Sequence, residues 1–218
     1  MTSVWYAIPS ASTERAERCA SAWREMGYRV AILIDGDTPE PRGANLVMRV
    51  PTYEGYFASV NALSRRLVIE DGAEIVVTGG DDMFPDPHHR ADEIAADFRR
   101  DFPDLCGVMQ PTGDDMPGTD RICGSPWLGR EWILRGYDGT GPFHGGYRQF
   151  YGDEELRIVA TRHDRMLDRP DLVQRHEHWS RGGTPTAYQK ANDRWWAHDQ
   201  ALFVERQAAR FPGSGVRG

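Results

Sequence analysis

The sequence lacks the features that typify membrane proteins and proteins of oxidising compartments. None of its apolar runs approaches the roughly 20 residues that a membrane-spanning helix requires. The N-terminus has no basic region followed by a long apolar core, so we expect no secretory signal. There are only three cysteines, Cys19, Cys106 and Cys123, and their wide spacing favours reduced thiols over disulfides or a zinc site. These absences predict a cytoplasmic protein without membrane contact.

Several common catalytic motifs are also missing. No GxGxxG segment follows the first apolar run, and GxxxxGK(S/T) does not occur, so the glycine-rich cradles of dinucleotide-binding and P-loop proteins are absent. The sequence has no GxSxG nucleophile elbow. The triplet His176-Glu177-His178 does not fit the HExxH pattern of zinc peptidases. These observations argue against four large enzyme classes.

Length and composition indicate one folded domain, residues 1–218. The chain is 39% hydrophobic, which is typical of globular proteins, and 218 residues are enough to bury a substantial core. Its formal net charge is −7. An acidic balance argues against a generic binder of nucleic acids or membrane surfaces, although it leaves room for a local basic patch.

Apolar β-type runs alternate with amphipathic helical patterns along the chain. Such alternation predicts an α/β fold with a mixed, mainly parallel sheet flanked by helices. A long C-terminal helix is expected at about 186–211. Strands are predicted at 4–8, 30–34, 46–50, 75–78, 105–110, 147–151 and 172–179, and helices at 16–26, 56–67, 87–98, 126–137 and from 153.

The stretch Glu74–Pro87, EIVVTGGDDMFPDP, combines a buried strand with an acidic turn. Glycines after the strand let a ligand approach the backbone, and the carboxylates of Asp81 and Asp82 suit Mg²⁺ or Mn²⁺. The alternative is an acidic turn that only caps the next helix. In a parallel sheet this turn lies at the edge where ligands bind.

Four further residues could take part in chemistry. Asp153 begins a helix, where it is either a functional carboxylate or an N-cap. His176 and His178 are two residues apart on a predicted strand, so their side chains point to one side, toward a metal or into ordinary structural contacts. Asp35 follows the second strand, and its alternative role is an Asp-Gly turn.

Taken together, these segments resemble the GT-A-type glycosyltransferases, which transfer sugars from nucleotide-sugar donors; the likeness is to family-2-like members, including phage-type ones. It spans roughly residues 4 to 180. The QxxRW segment of processive synthases is absent. Four segments carry the likeness: the strand ending in Pro9-Ser10, VAILIDG with Asp35, the helix Gly55–Leu67 with Asn61 running into VVTGGDDMFPDP, and GDEEL followed later by HEH.

The resemblance implies a set of donor and metal residues. Asp82 matches the metal-binding aspartate of the DxD motif, and His176 or His178 would complete the site for Mn²⁺ or Mg²⁺. Gly80 stands where the first aspartate of that motif is usual, with Asp81 as its substitute. Pro9, Ser10, Asp35 and Asn61 would contact the nucleotide sugar.

The resemblance also implies an activity. Asp153, with Glu154 as its competitor, would be the general base of an inverting, metal-dependent transfer from a nucleoside-diphosphate sugar, UDP-sugars being favoured. Residues up to about 110 would form the donor half, and 111–218 the acceptor half.

The acceptor stays open: a glycan, a small molecule or a hydroxymethylated DNA base. Arginines that would suit DNA phosphates occur in the acceptor half: Arg121, Arg130, Arg135 and Arg148. The alternatives to a glycosyltransferase are a nucleotidyltransferase and a non-catalytic nucleotide- or glycan-binding relative.

Overall fold

A computed structural model describes residues 3–185 and 187–215, without the side chains of 187–189. Seven of its nine strands form one central sheet. In chain order the strands are β1 Val4–Pro9, β2 Arg29–Asp35, β3 Leu46–Val50, β4 Ile75–Thr78, β5 Met83–Phe84, β6 Val108–Pro111, β7 Trp127–Gly129, β8 Met166–Arg169 and β9 Arg175–His176. The central sheet has the order β3-β2-β1-β4-β7-β6-β8, and β5 pairs separately with β9.

Helices cover both faces of this sheet. They are α1 Thr13–Glu25, α2 Tyr56–Ile69, α3 Ala91–Asp101, α4 Arg130–Arg135, α5 Gly152–Arg162, α6 Ala187–Asn192 and α7 Trp196–Ala208. Alternate residues of β1 face opposite cores: Tyr6 and Ile8 pack with α1 and α3, while Trp5 and Ala7 pack with α2, α4 and α5. A strand that is covered on both faces needs apolar side chains on both, and this explains the continuous apolar run of β1.

The sheet is mainly parallel around its centre. β1 pairs in parallel with both β2 and β4, whereas β7 is antiparallel to β4 and β6. The mixed, mainly parallel α/β fold predicted from the sequence is therefore confirmed, including its C-terminal helix. The carboxyl ends of β1 and β4 lie side by side, so Ser10 and the Gly79–Asp82 turn share one edge of the sheet.

The pairing of β5 with β9 brings a distant part of the chain to that edge. Met83 lies opposite His176 in the register, and the backbone N–H of Glu177 donates to the carbonyl of Asp82 at 2.8 Å. Of the predicted strand at 172–179, only the two residues of β9 form a strand. Only that short piece finds a partner strand in the residues described.

Other boundaries differ from the prediction. The predicted edge strand at 147–151 is wrong, because its backbone N–H groups donate to the carboxylate of Asp199 instead of a neighbouring strand. Residues 127–129 form β7 before the helix begins. Strand β8 was not predicted, because its short, charged sequence has no strand-like pattern. Asp86 caps the turn at His88 and His89, and α3 starts later, at Ala91.

The predicted C-terminal helix is interrupted. α6 ends at Asn192, a 3-10 turn spans Asp193–Trp195, and α7 follows. Thr186, where this helix was expected to begin, lies outside the described residues. No helix in the described part of the chain is long and apolar enough to cross a membrane.

A buried ion pair attaches α7 to α5. The carboxylate of Glu155 is fully buried and accepts from Arg206 Nε and Nη2 at 2.8 and 2.7 Å and from the Tyr147 hydroxyl at 2.7 Å. We expect Arg206→Met to lower the free energy of unfolding by about 3–5 kcal/mol, because it leaves a buried charge without its partner. Urea unfolding measures this.

Arg121 offers a matched control, since its side chain is exposed. Arg121→Met should change the free energy of unfolding by less than about 0.5 kcal/mol. An equally small change in Arg206→Met would contradict the assignment of the ion pair as a main attachment of α7.

Candidate functional site

One cavity of about 490 Å³ opens at the carboxyl ends of β1 and β4. It gathers most of the residues that the sequence singled out. Eight of them line it: Pro9, Ser10, Gly80, Asp81, Asp82, Asp153, His176 and His178.

Asp82 and His176 face each other in this cavity. Oδ1 of Asp82 lies 3.5 Å from Nε2 of His176, a contact that follows directly from the β5–β9 pairing. Burial alone would raise the pKa of Asp82, but the hydrogen bond and charge of His176, together with Arg15, bring that pKa below its ordinary value. Asp82 is therefore an ionised carboxylate at neutral pH.

His178 lies next to this pair. Its ring centre is 5.0 Å from that of His176. Its Nδ1 accepts the backbone N–H of Ser180 at 3.3 Å and lies 2.8 Å from the Ser180 hydroxyl, so the proton of the neutral ring is on Nε2. Burial lowers the pKa of His178, and the neighbouring His176 adds to the effect, which keeps the ring neutral.

These side chains suit a hard divalent cation, although they form only part of a site. Within residues 3–185 and 187–215, no group of three or more His, Cys, Asp or Glu side chains is arranged to hold a metal ion. Adjacent ligands that each lie about 2.1 Å from an octahedral ion are about 3.0 Å apart, so the 3.5 Å between Asp82 and His176 would shorten by about 0.5 Å on binding. Such cations commonly take one or two protein ligands and complete their shell with substrate phosphates and water.

Ser10, Arg15 and Asp81 form a second polar group at the end of β1. The Ser10 hydroxyl donates to Asp81 Oδ2 at 2.6 Å, and Arg15 Nη2 lies 3.2 Å from the same oxygen. Burial raises the pKa of Asp81, which Ser10 and Arg15 partly offset. The sequence did not single out Arg15. The signal that could have identified Arg15 is its position: it lies three residues past the N-cap of α1, in the first turn of the helix that follows β1.

Gly80 is fitted closely to Asp82. Its carbonyl accepts the Tyr6 hydroxyl at 2.7 Å, and a Cβ at this position would lie 2.5 Å from Asp82 Oδ1. At this position the resemblance led us to expect an aspartate, and the structure shows that a side chain here would meet Asp82 Oδ1. Without a side chain at position 80, the Asp82 carboxylate can turn toward His176.

Asp153 lies in the first turn of α5 and lines the same cavity. The chain enters this helix through Tyr151 in the left-handed region, with φ 67°, and Gly152 packs against Phe57 so closely that a Cβ would be 2.6 Å from its ring. Burial raises the pKa of Asp153 to about 6, and the charge of Glu154 adds to the rise. This carboxylate is more basic than an ordinary aspartate.

Three predicted residues lie outside the lining of the cavity. Asp35 ends β2, and Glu154 is the neighbour of Asp153. Asn61 is buried and uses both ends of its amide on the backbone of Phe143, at 2.9 and 3.1 Å. None of the four arginines suggested for DNA contact lines the cavity either.

Sequence reasoning missed the aromatic and C-terminal parts of the lining. These residues lie in segments predicted as loop, strand or continuous helix, and only the tertiary fold brings them together. They include Tyr53, Tyr56, Phe57, Gln149, Phe150, Trp179, Asn192 and Asp193.

Solved structures with a similar fold include a glycosyltransferase. A mutant of Drosophila β-1,4-galactosyltransferase 7, in complex with manganese, UDP-Gal and xylobiose, superposes with a TM-score of 0.54 at 11% identity, covering 88% of this chain and 79% of that one. A197 from STIV has a TM-score of 0.50 at 12% identity over 81% and 86%. No family model and no curated protein matches the sequence. At such identities the likeness shows a GT-A-like fold alone.

Gly80→Ala tests the fit between Gly80 and Asp82. The added methyl group should push the Asp82 carboxylate away from His176 and weaken Mn²⁺ binding by about 10–100-fold. Electron paramagnetic resonance of free Mn²⁺ during titration measures the affinity. Gly145→Ala is the control, because a Cβ there meets nothing within 4 Å. Unchanged Mn²⁺ affinity in Gly80→Ala would argue against Asp82 as a ligand.

Proposed function

We propose that this protein is a metal-dependent glycosyltransferase that moves a sugar from a nucleoside-diphosphate sugar to an acceptor hydroxyl, with inversion at the anomeric carbon. The observation that carries the proposal is one cavity lined by the Asp82–His176 pair and by the separate, basic carboxylate of Asp153. The GT-A-like fold supports it, as does the similar galactosyltransferase structure in complex with manganese and UDP-Gal.

The donor would bind at the ends of β1 and β4. Asp82 and His176 would hold Mn²⁺ or Mg²⁺, which when bound stabilises the negative charge that develops on the departing nucleoside diphosphate. His176 is the better candidate for a ligand. The Nδ1 of His178 already accepts a hydrogen bond from Ser180, which leaves the proton on Nε2 as a donor. The guanidinium of Arg15 supplies the positive charge of the lining near the phosphates.

Asp153 would take the proton of the acceptor hydroxyl as that oxygen attacks the anomeric carbon. A general base works best when its pKa lies near the working pH, and burial moves Asp153 in that direction. Asp153 lies in the first turn of α5, and the close packing of the preceding Gly152 on Phe57 would fix the position of this turn for the step. Glu154 lies outside the lining of the cavity, which favours Asp153 over it.

Metal-dependent donor binding is the first test. Isothermal calorimetry with UDP and UDP-sugars should give binding in the presence of Mn²⁺ and none after chelation. We expect His176→Ala to remove this binding, because the cation loses one of its two protein ligands. His88→Ala is the matched control, since this exposed histidine lies outside the cavity. Equal nucleotide affinity with and without Mn²⁺ would contradict the metal-dependent mechanism and point to a non-catalytic binder.

Asp153→Asn is the second test. The rate of transfer should fall by about 10²–10⁴-fold while donor binding stays intact, because only the proton acceptor is removed. In the wild type, kcat/KM should rise with pH through about pH 6, where Asp153 loses its proton. A direct assay of product formation across pH measures both effects.

Stability gives an independent readout of the same residue. The folded state raises the pKa of Asp153, so its charged form costs stability above pH 6, and this cost disappears below about pH 4, where the unfolded state is protonated too. Asp153→Asn should therefore have a Tm at pH 7 at least as high as the wild type.

Loss of activity in Glu154→Gln with full activity in Asp153→Asn would reverse the assignment.

A further inference from the structure

We infer that the acceptor is an uncharged sugar, and that the side-chain amide of Gln149 donates a hydrogen bond to one of its hydroxyl groups. This inference rests on the proposed function, since it names the acceptor of the same cavity. It is carried by the wall that residues 148–150 and the C-terminal segment build together. That wall contains Tyr53, Gln149, Phe150, Trp179, Asn192 and Asp193.

The backbone of this wall is fixed by one buried carboxylate. Asp199 on α7 is fully buried, and its two oxygens accept the backbone N–H groups of Arg148, Gln149 and Phe150 at 3.1, 2.8 and 2.9 Å. Three consecutive donors on one carboxylate hold the segment in a single conformation. The side chain of Gln149 therefore leaves the backbone from a defined position at the cavity.

The carbonyl oxygen of the Gln149 side chain is also occupied. It accepts from Asn192 Nδ2 at 3.2 Å and from the Tyr53 hydroxyl at 3.4 Å. With the oxygen so engaged, the amide nitrogen is the end of the side chain left to offer its N–H groups. In the described part of the chain this nitrogen has no hydrogen-bond partner, and the residue lines the cavity, so it presents donors to whatever binds there.

The rest of the wall matches the surface of a sugar. Rings of Tyr53, Phe150 and Trp179 provide flat apolar faces, and Trp179 is 40% exposed although it is a large aromatic side chain. Asn192 and the exposed Asp193 add planar polar groups that accept from hydroxyls. A sugar ring offers both an apolar face of C–H groups and a rim of hydroxyls, and it can use both at once.

The charge of the wall argues against an acceptor that is rich in phosphates. Among the described lining residues the one arginine is Arg15, which lies 3.2 Å from Asp81, and the C-terminal wall carries the negative charge of Asp193. DNA recognition requires several cations aimed at phosphates. Here Arg148 donates to the carbonyl of Glu54, and Arg135 pairs with Glu131.

Saturation-transfer NMR with p-nitrophenyl glycosides tests this inference without requiring turnover. In the presence of Mn²⁺ and UDP, we expect neutral p-nitrophenyl pyranosides to bind and a short duplex containing hydroxymethylcytosine not to bind. Gln149→Leu, which keeps the size but removes the donors, should weaken the binding of the best glycoside about tenfold and leave UDP affinity unchanged. Gln200→Leu, an exposed change outside the cavity, is the matched control.

The possible outcomes separate this inference from the proposed function. Glycoside binding that depends on Gln149, without transfer from any nucleotide sugar, would uphold the acceptor site and contradict the glycosyltransferase. Binding of the duplex but not of the glycosides would overturn the inference and leave the transferase standing with DNA as acceptor. Unchanged glycoside affinity in Gln149→Leu, or no glycoside binding at all, would also overturn it.

Discussion

The cavity depends on the pairing of two very short strands, β5 and β9. This contact fixes the backbone of Asp82 against that of Glu177 and so places the side chain of His176 opposite the Asp82 carboxylate. Two residues on each strand contribute little stability by themselves. Two buried carboxylates support the pairing: Asp86 accepts the backbone N–H of Val173, just before β9, and Asp114 accepts that of His176 within β9. A local polar framework thus supports the functional contact.

The two adjacent carboxylates of the acidic turn have opposite electrostatic surroundings. Asp81 points toward Ser10 and Arg15 and has a raised pKa because burial outweighs these partners, whereas the pKa of Asp82 is lowered because His176 is added. One carboxylate is thereby held by the protein and the other is directed at the cavity. Gly80 makes this division possible, since any side chain there would occupy the space of Asp82 Oδ1.

Much of this arrangement follows from the sequence, because it depends on local patterns and on one general rule. The apolar runs of β1, β2 and β4 identify buried parallel strands, and the carboxyl ends of such strands meet. That rule is enough to bring Ser10, Asp81 and Asp82 together. The approach of His176 was suggested only by resemblance to a family, since a two-residue strand such as β9 has too few residues to show a period.

The remaining part of the cavity could not be predicted, and the reason is visible at Asp199. Its helix looks like an ordinary amphipathic element, and nothing in the sequence indicates that one of its carboxylates replaces a strand as the partner of residues 148–150. The aromatic residues of Tyr147–Tyr151 favour a strand as long as its N–H groups are assumed to bind another backbone. A buried carboxylate that accepts three of them changes the conformation of the segment and turns Gln149 into the cavity.

The C-terminal helix α7 makes two buried contacts with segments that line the cavity. Arg206 on α7 neutralises Glu155 on α5, only two residues from Asp153, while Asp199 on the same helix holds the wall that carries Gln149. One helix therefore supports both the carboxylate proposed to accept the proton and the side chain proposed to bind a hydroxyl of the acceptor. Since Asp199 and Arg206 lie about two turns apart on α7, these two buried contacts are connected through one rigid helix.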